Sequence, residues 1–255
     1  MTDLFYRRSG SGRSLLVLHG LFGSSDNWNS IGRVWAERSD VFLVDARDHG
    51  RSPHTEKVTY ELMAEDVLRL LDSHDLERVS IVGHSMGGKT AMRFAQLYPD
   101  RIDKLVVVDI GAREYGPHGH DAIIRALLSS EPGSKTGRSD MEAHLTGFIP
   151  EPGVVQFLMK SLYWKNPGEL AWRFNVPVLA RDMPHILSAI GTEKVHVPTL
   201  FIRGGKSDYI QREDLPQLHE QFTQATVESI PYAGHWVHAQ APDEVIEMVQ
   251  GLLDS

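Results

Sequence analysis

The chain has 255 residues, 41% hydrophobic and 24% charged, enough for one large single-core domain or two small ones and too apolar for a disordered chain. Twenty-six Lys and Arg stand against 34 Asp and Glu, a formal charge of −8 with no long basic run, so nucleic acid is not expected as a partner. The absence of cysteine excludes a disulfide framework, thiolate metal sites and a cysteine nucleophile. The N-terminal MTDLFYRRSG has no apolar signal core, and no stretch approaches the roughly 18 apolar residues of a spanning helix. A cytoplasmic protein without a membrane partner is the expectation.

Short continuous apolar runs recur along the chain: Leu15 to Leu18, Val41 to Val44, Val79 to Val82, Leu105 to Val108, Thr199 to Ile202 and Val227 to Ile230. Unbroken apolarity predicts strands covered on both faces, as in a parallel sheet. Between them, Leu62, Met63, Val67, Leu70 and Leu71 form one helical stripe, and a second helix from Met86 is stopped by Pro99. A terminal helix is predicted from about Pro242 to Leu253. Strands alternating with helices give an α/β domain. The alternation breaks over residues 112–190, where Gly and Pro clusters (GPHGH, EPGSKTG, EPG) separate helical stretches, and resumes with VPTLFIRGG. Residues 1–111 and 191–255 are read as one core domain, and 112–190 as a helical lid inserted between two of its strands.

The string VSIVGHSMGGKTAMRF carries Gly83-His84-Ser85-Met86-Gly87 between a predicted strand and a predicted helix. That context makes G-x-S-x-G a nucleophile elbow: a sharp turn presents the Ser85 hydroxyl above the sheet, and glycine at 83 and 87 avoids clashes. The Met86 N–H then opens the helix and faces developing negative charge. A second oxyanion donor is expected after the first central strand, where His19-Gly20 is followed by Leu21. Phe22 is expected to flank the acyl pocket, whereas His19 reads as a hydrogen-bonded structural imidazole.

Of thirteen histidines, His235 in PYAGHW follows the last strand behind a flexible Ala-Gly pair, where a general base belongs. His84 is expected to point away from its neighbour Ser85. The histidines lack metal-ligand spacing, so neither metal nor cofactor is expected. Two carboxylates compete for the acid: Asp208 in FIRGGKSDYI and Asp109 in LVVVDIG, both in the order Ser, Asp, His. Asp45 and Asp48 precede the elbow and are read as groups that order their loop.

The strings HGLFGSSDNW, DARDHGRS, GHSMGGK, PDRIDKLVVVDI, WRFNVPVL and AGHWVHAQAPDE, in this order over about residues 14 to 250, resemble the α/β-hydrolase branch that contains the bacterial YbfF-type esterases. The resemblance implies an α/β-hydrolase fold with a helical lid between strands six and seven. It also implies a carboxylesterase acting on short-to-medium acyl esters, with acyl thioesters as a second class, and Ser85 and His235 as nucleophile and base. It favours Asp109, after strand six, as the acid. Trp172, one of the aromatics of the inserted segment, is expected to line the substrate pocket. Lactone or carbon–carbon hydrolysis, perhydrolysis and a non-catalytic ligand-binding role are the rival readings.

Overall fold

The computed structural model describes residues 3–117, 119–133 and 137–255. His118 of GPHGH and residues 134–136 of EPGSKTG lie outside the described residues. Nine strands are seen among them: β1 (Tyr6–Gly10), β2 (Arg13–Leu18), β3 (Ser39–Val44), β4 (Val79–His84), β5 (Ile102–Val108), β6 (Leu162–Asn166), β7 (Glu169–Trp172), β8 (Thr199–Gly204) and β9 (Ala225–Ile230). Seven of them form one sheet in the order β1-β3-β2-β4-β5-β8-β9, parallel except for β1.

The apolar runs are continuous because both faces of this sheet are covered. Alternate residues point to opposite sides. Leu16, Leu18, Ile81, Leu105 and Val107 face one core, and Leu15, Val17, Val82, Val106 and Val108 face the other. Helices α1 (Asn29–Trp35), α2 (Tyr60–Ser73) and α3 (Met86–Leu97) follow β2, β3 and β4. The side chain of Thr59 caps α2 by accepting the Leu62 N–H at 3.3 Å, and its apolar stripe packs against α3. The edge strand β1 was not expected. Its YRRSG sequence is mostly polar: the backbone pairs antiparallel to β3, Tyr6 packs half-buried on Phe42, and Arg8 to Gly10 are exposed.

The excursion after β5 holds α4 (His120–Ser129), α5 (Arg138–Thr146), α6 (Pro152–Met159), α7 (Val176–Arg181) and α8 (Met183–Leu187). It is not the wholly helical lid expected, because β6 and β7 pair within it as an antiparallel hairpin. The chain leaves the sheet after its fifth strand and returns as its sixth, one strand earlier than the family count implies. After it come α9 (Leu215–Gln221), α10 (Val237–Gln240) and α11 (Pro242–Asp254). Among the described residues no helix is long and apolar enough to cross a membrane.

Register positions the chemistry. Leu18 pairs with Gly83, His84 with Val108, and Val108 with Ile202, so β2, β4, β5 and β8 end side by side. The segments that follow these parallel strands therefore meet along one edge, the carboxyl edge of the sheet.

Candidate active site

Ser85 joins β4 to α3 with φ 52° and ψ −119°, a left-handed backbone that a serine rarely adopts. The turn is tight enough to demand its glycines. A Cβ on Gly83 would stand 2.3 Å from the Gly87 carbonyl oxygen, and one on Gly87 would stand 2.4 Å from that of Leu18. The strain turns the Ser85 hydroxyl toward the segment after β9, where His235 Nε2 lies 3.1 Å from Oγ.

His235 Nδ1 lies 2.8 Å from Asp109 Oδ2. A fully buried carboxylate accepts at that distance, so Nδ1 carries the proton and donates, and the Nε2 lone pair faces the serine hydroxyl. Asp109 also accepts the Gly204 N–H at 2.9 Å and the Ser207 hydroxyl. These bonds satisfy a buried charge that, among the described residues, pairs with no Lys or Arg. Asp208 does not join this chain. It is exposed, and among the described residues the hydrogen bonds seen go to its backbone carbonyl, from Arg113 and Gln211. Its neighbour Ser207 is the residue of that loop that reaches Asp109.

The Leu21 and Met86 backbones border Ser85 in one small pocket, and among the described residues neither N–H meets an acceptor. Two buried histidines hold the Leu21 loop. His19 Nε2 accepts the Ala46 N–H at 3.0 Å, and His49 Nε2 accepts the Phe22 N–H at 3.1 Å. Asp45 accepts the Ser25 and Arg51 amides, and Asp48 accepts from Thr55 and from Asn175 of the excursion, as their loop-ordering reading expects.

A cavity of about 360 Å³ opens over Ser85, bordered by Leu21, Phe22, Ile123, Val154, Phe157, Leu158 and Trp236. Phe22 lines it as expected. Trp172 does not: its ring stacks on Phe174 at 5.3 Å, Phe174 packs on Phe22, and Trp172 Nε1 donates to Ser130, so it sits a layer behind the wall. His84 makes no side-chain hydrogen bond to Ser85 among the described residues, yet it stays at the site. It borders the cavity, its ring lies 4.7 Å from that of His235, and with the charged form excluded by burial its Nε2–H donates to the His235 carbonyl at 2.9 Å. His238 stacks on Trp28 at 4.4 Å, and burial followed by the nearby His235 lowers it to about 3. Sequence reading missed Ser207, Tyr209 and His49 altogether. Their strings, GKSDYI and DARDHG, were in view, but no spacing marks which member turns inward. No group of three metal-ligating side chains occurs among the described residues.

Comparison with known proteins places the fold. Residues 13–138 match the model of the α/β-hydrolase fold family. The chain is 40% identical over 243 residues to esterase YbfF of Escherichia coli strain K12, covering 94% of this chain and 92% of that one. The chain belongs to the α/β-hydrolase fold family. This hydrolase is also 38% identical over 248 residues to a Mus musculus protein named sn-1-specific diacylglycerol lipase ABHD11, covering 94% and 80%. Among solved structures, one titled marine microorganism esterase superposes with a TM-score of 0.96 at 41% identity, over 99% of this hydrolase and all of that chain.

Proposed function

We propose that the protein is a serine carboxylesterase that hydrolyses short-to-medium acyl esters through an acyl-enzyme. The observation that carries the reading is the unbroken chain from Ser85 Oγ to His235 Nε2, 3.1 Å, and from His235 Nδ1 to Asp109 Oδ2, 2.8 Å. Similarity over nearly the whole chain to proteins named esterases supports it.

In this reading His235 takes the Ser85 proton as Oγ attacks the acyl carbon, and the carbonyl oxygen becomes an oxyanion held by the Leu21 and Met86 amides. Asp109 orients the imidazole and stabilises its charged form. As the tetrahedral species collapses, His235 gives its proton to the departing alcohol oxygen. Water then gives a proton to His235 and attacks the acyl carbon, and as the second tetrahedral species collapses His235 returns that proton to the departing Ser85 Oγ, releasing the acid and restoring both residues. No cofactor or metal enters any step.

Residues 1–111 and 191–255 act as the catalytic core and 112–190 as the lid, since Ile123, Val154, Phe157 and Leu158 of the excursion roof the cavity. A cavity of about 360 Å³ suits an acyl chain of modest length. The formal charge of −8 speaks against nucleic acid as a partner, and a small ester or thioester is the substrate class.

The test is a panel of p-nitrophenyl esters from acetate to palmitate, an acyl thioester and a diacylglycerol, run with a Ser85→Ala control and a fluorophosphonate label. Turnover centred on short and medium esters, lost with Ser85→Ala, is the expected result. Wild-type turnover in Ser85→Ala, or no labelling of the wild type, overturns the assignment.

A further inference from the structure

Lys89 lies one helical turn beyond Ser85, and its own N–H donates to the Ser85 carbonyl at 3.0 Å. Its side chain is buried, with 1% of the residue exposed, yet among the described residues its ammonium forms no ion pair. It donates instead to two main-chain oxygens, those of Arg113 at 2.7 Å and of Ser188. The rings of Tyr115 and Tyr60 lie 4.8 and 5.7 Å away and supply further stabilisation of the charge. Burial, then repulsion from Arg113, pulls this lysine down to about 7, with Glu114 opposing. An ammonium is a costly choice for such a place, since an apolar chain of equal length would fill it without desolvation.

The two acceptors show what the charge does. Arg113 belongs to the segment that leaves the sheet after β5, and Ser188 to the segment that returns from the excursion. The same two segments also bond to each other, Tyr115 N–H to the Leu187 carbonyl at 2.9 Å and Ile190 N–H to the Ala112 carbonyl at 3.0 Å. From this junction a chain of contacts runs to the reacting groups. The Tyr115 hydroxyl accepts the Gly111 N–H and donates to the Tyr209 carbonyl, each at 2.7 Å. The Tyr209 ring lies on the His235 imidazole, centroids 4.0 Å apart and planes inclined by 21°. A small pocket bounded by Ser85, Met86, Lys89, Tyr115 and Tyr209 joins the two ends.

We propose that Lys89 is a positioning residue for hydrolysis: its buried ammonium clamps both ends of the 112–190 excursion to the helix that carries Ser85. The clamp holds the apolar roof over the serine and the Tyr115–Tyr209 pair against His235. The Lys89 ammonium bonds to main-chain oxygens rather than to Ser85 Oγ or His235, and it does not border the acyl cavity. The inference rests on the serine esterase reading, and its test separates the two.

Wild type, Lys89→Met and Lys89→Arg are first titrated with a fluorophosphonate, so that rates refer to labelled sites. A wild type that does not label defeats the esterase reading. On labelled sites, Lys89→Met is expected to raise KM for p-nitrophenyl hexanoate about tenfold and for the acetate less than about threefold, because the longer chain depends on the roof. Lys89→Arg, which keeps the charge, is expected to return the hexanoate KM to within about threefold of wild type. A lowered melting temperature and labelled fraction with KM unchanged on labelled sites makes Lys89 merely structural and overturns the proposal. If Lys89→Met does not fold, Tyr115→Phe carries the test. It breaks the link between Gly111 and Tyr209 and is expected to lower kcat about fivefold for both esters, and an unchanged kcat overturns the proposal.

Discussion

His49 accepts the Phe22 amide through Nε2 at 3.1 Å, while its Nδ1–H donates to the Arg47 carbonyl at 2.9 Å. The first bond requires the neutral ring, since Nε2 must keep its lone pair, and it holds the residue next to Leu21 in a left-handed conformation, φ 61°. Burial first, and the adjacent His19 second, lower His49 to about 3.

A histidine whose folded pKa is depressed is protonated first in the unfolded chain as the pH falls, so stability is lost below about 6.5 and continues to fall toward pH 3. Between pH 7.5 and 5 the loss from His49 alone is roughly 2 kcal/mol. Urea unfolding of the wild type at the two pH values is expected to show at least this drop, and His49→Asn a drop smaller by about that amount. Identical pH slopes in the two proteins would show that His49 is not held neutral.

The carboxylate prediction separates two residues one strand apart. Asp109→Asn is expected to lower kcat about 10⁴-fold by upsetting the His235 tautomer, whereas Asp208→Asn stays within about twofold. Ser207→Ala removes one hydrogen bond to the buried charge and is expected to cost about tenfold. Steady-state rates on p-nitrophenyl butyrate decide it. Comparable losses at 109 and 208 would contradict the geometry.

What could be read from the chain follows from how local each signal is. Ser85 and the strands around it were legible because the elbow is a contiguous string whose glycines are required by contacts as short as 2.3 Å. His235 was legible from its place after the last strand. The acid stayed open between Asp109 and Asp208 because the choice depends on which loop turns its carboxylate inward, and there Ser207 rather than Asp208 makes the contact. Trp172 reads as a pocket aromatic because composition cannot tell a lining ring from a packed one, and its position is set by ring stacking on Phe174, which no spacing encodes. The strand Tyr6–Gly10 joins the sheet by backbone pairing, and Tyr6, packed on Phe42, is too little to make an apolar run.

Strain at the elbow sets up a contrast between two inactive variants. Serine and alanine both resist φ 52° and ψ −119°, and glycine does not. Ser85→Gly is therefore expected to be more stable than Ser85→Ala by about 1 kcal/mol, even after the greater freedom of an unfolded glycine is counted. Chemical denaturation of the pair measures it. An alanine variant equal to or more stable than the glycine variant would mean that the turn is relaxed.

Phe157 and Trp172 are both large aromatics of the excursion, and their positions predict opposite behaviour. Phe157 borders the cavity and packs on Trp236 at 5.6 Å, so Phe157→Ala widens the space available to the acyl chain with little loss of core. It is expected to move the preferred ester by about two carbons, with KM for the longer ester falling severalfold. Trp172 is 8% exposed, stacked on Phe174 and bonded to Ser130, and makes no wall of the cavity. Trp172→Ala is expected to cost about 3 kcal/mol of stability while leaving the chain-length profile of the folded enzyme in place. Denaturation curves and a chain-length series on both variants provide the test. A shifted profile in Trp172→Ala that exceeds the one in Phe157→Ala would return Trp172 to the pocket.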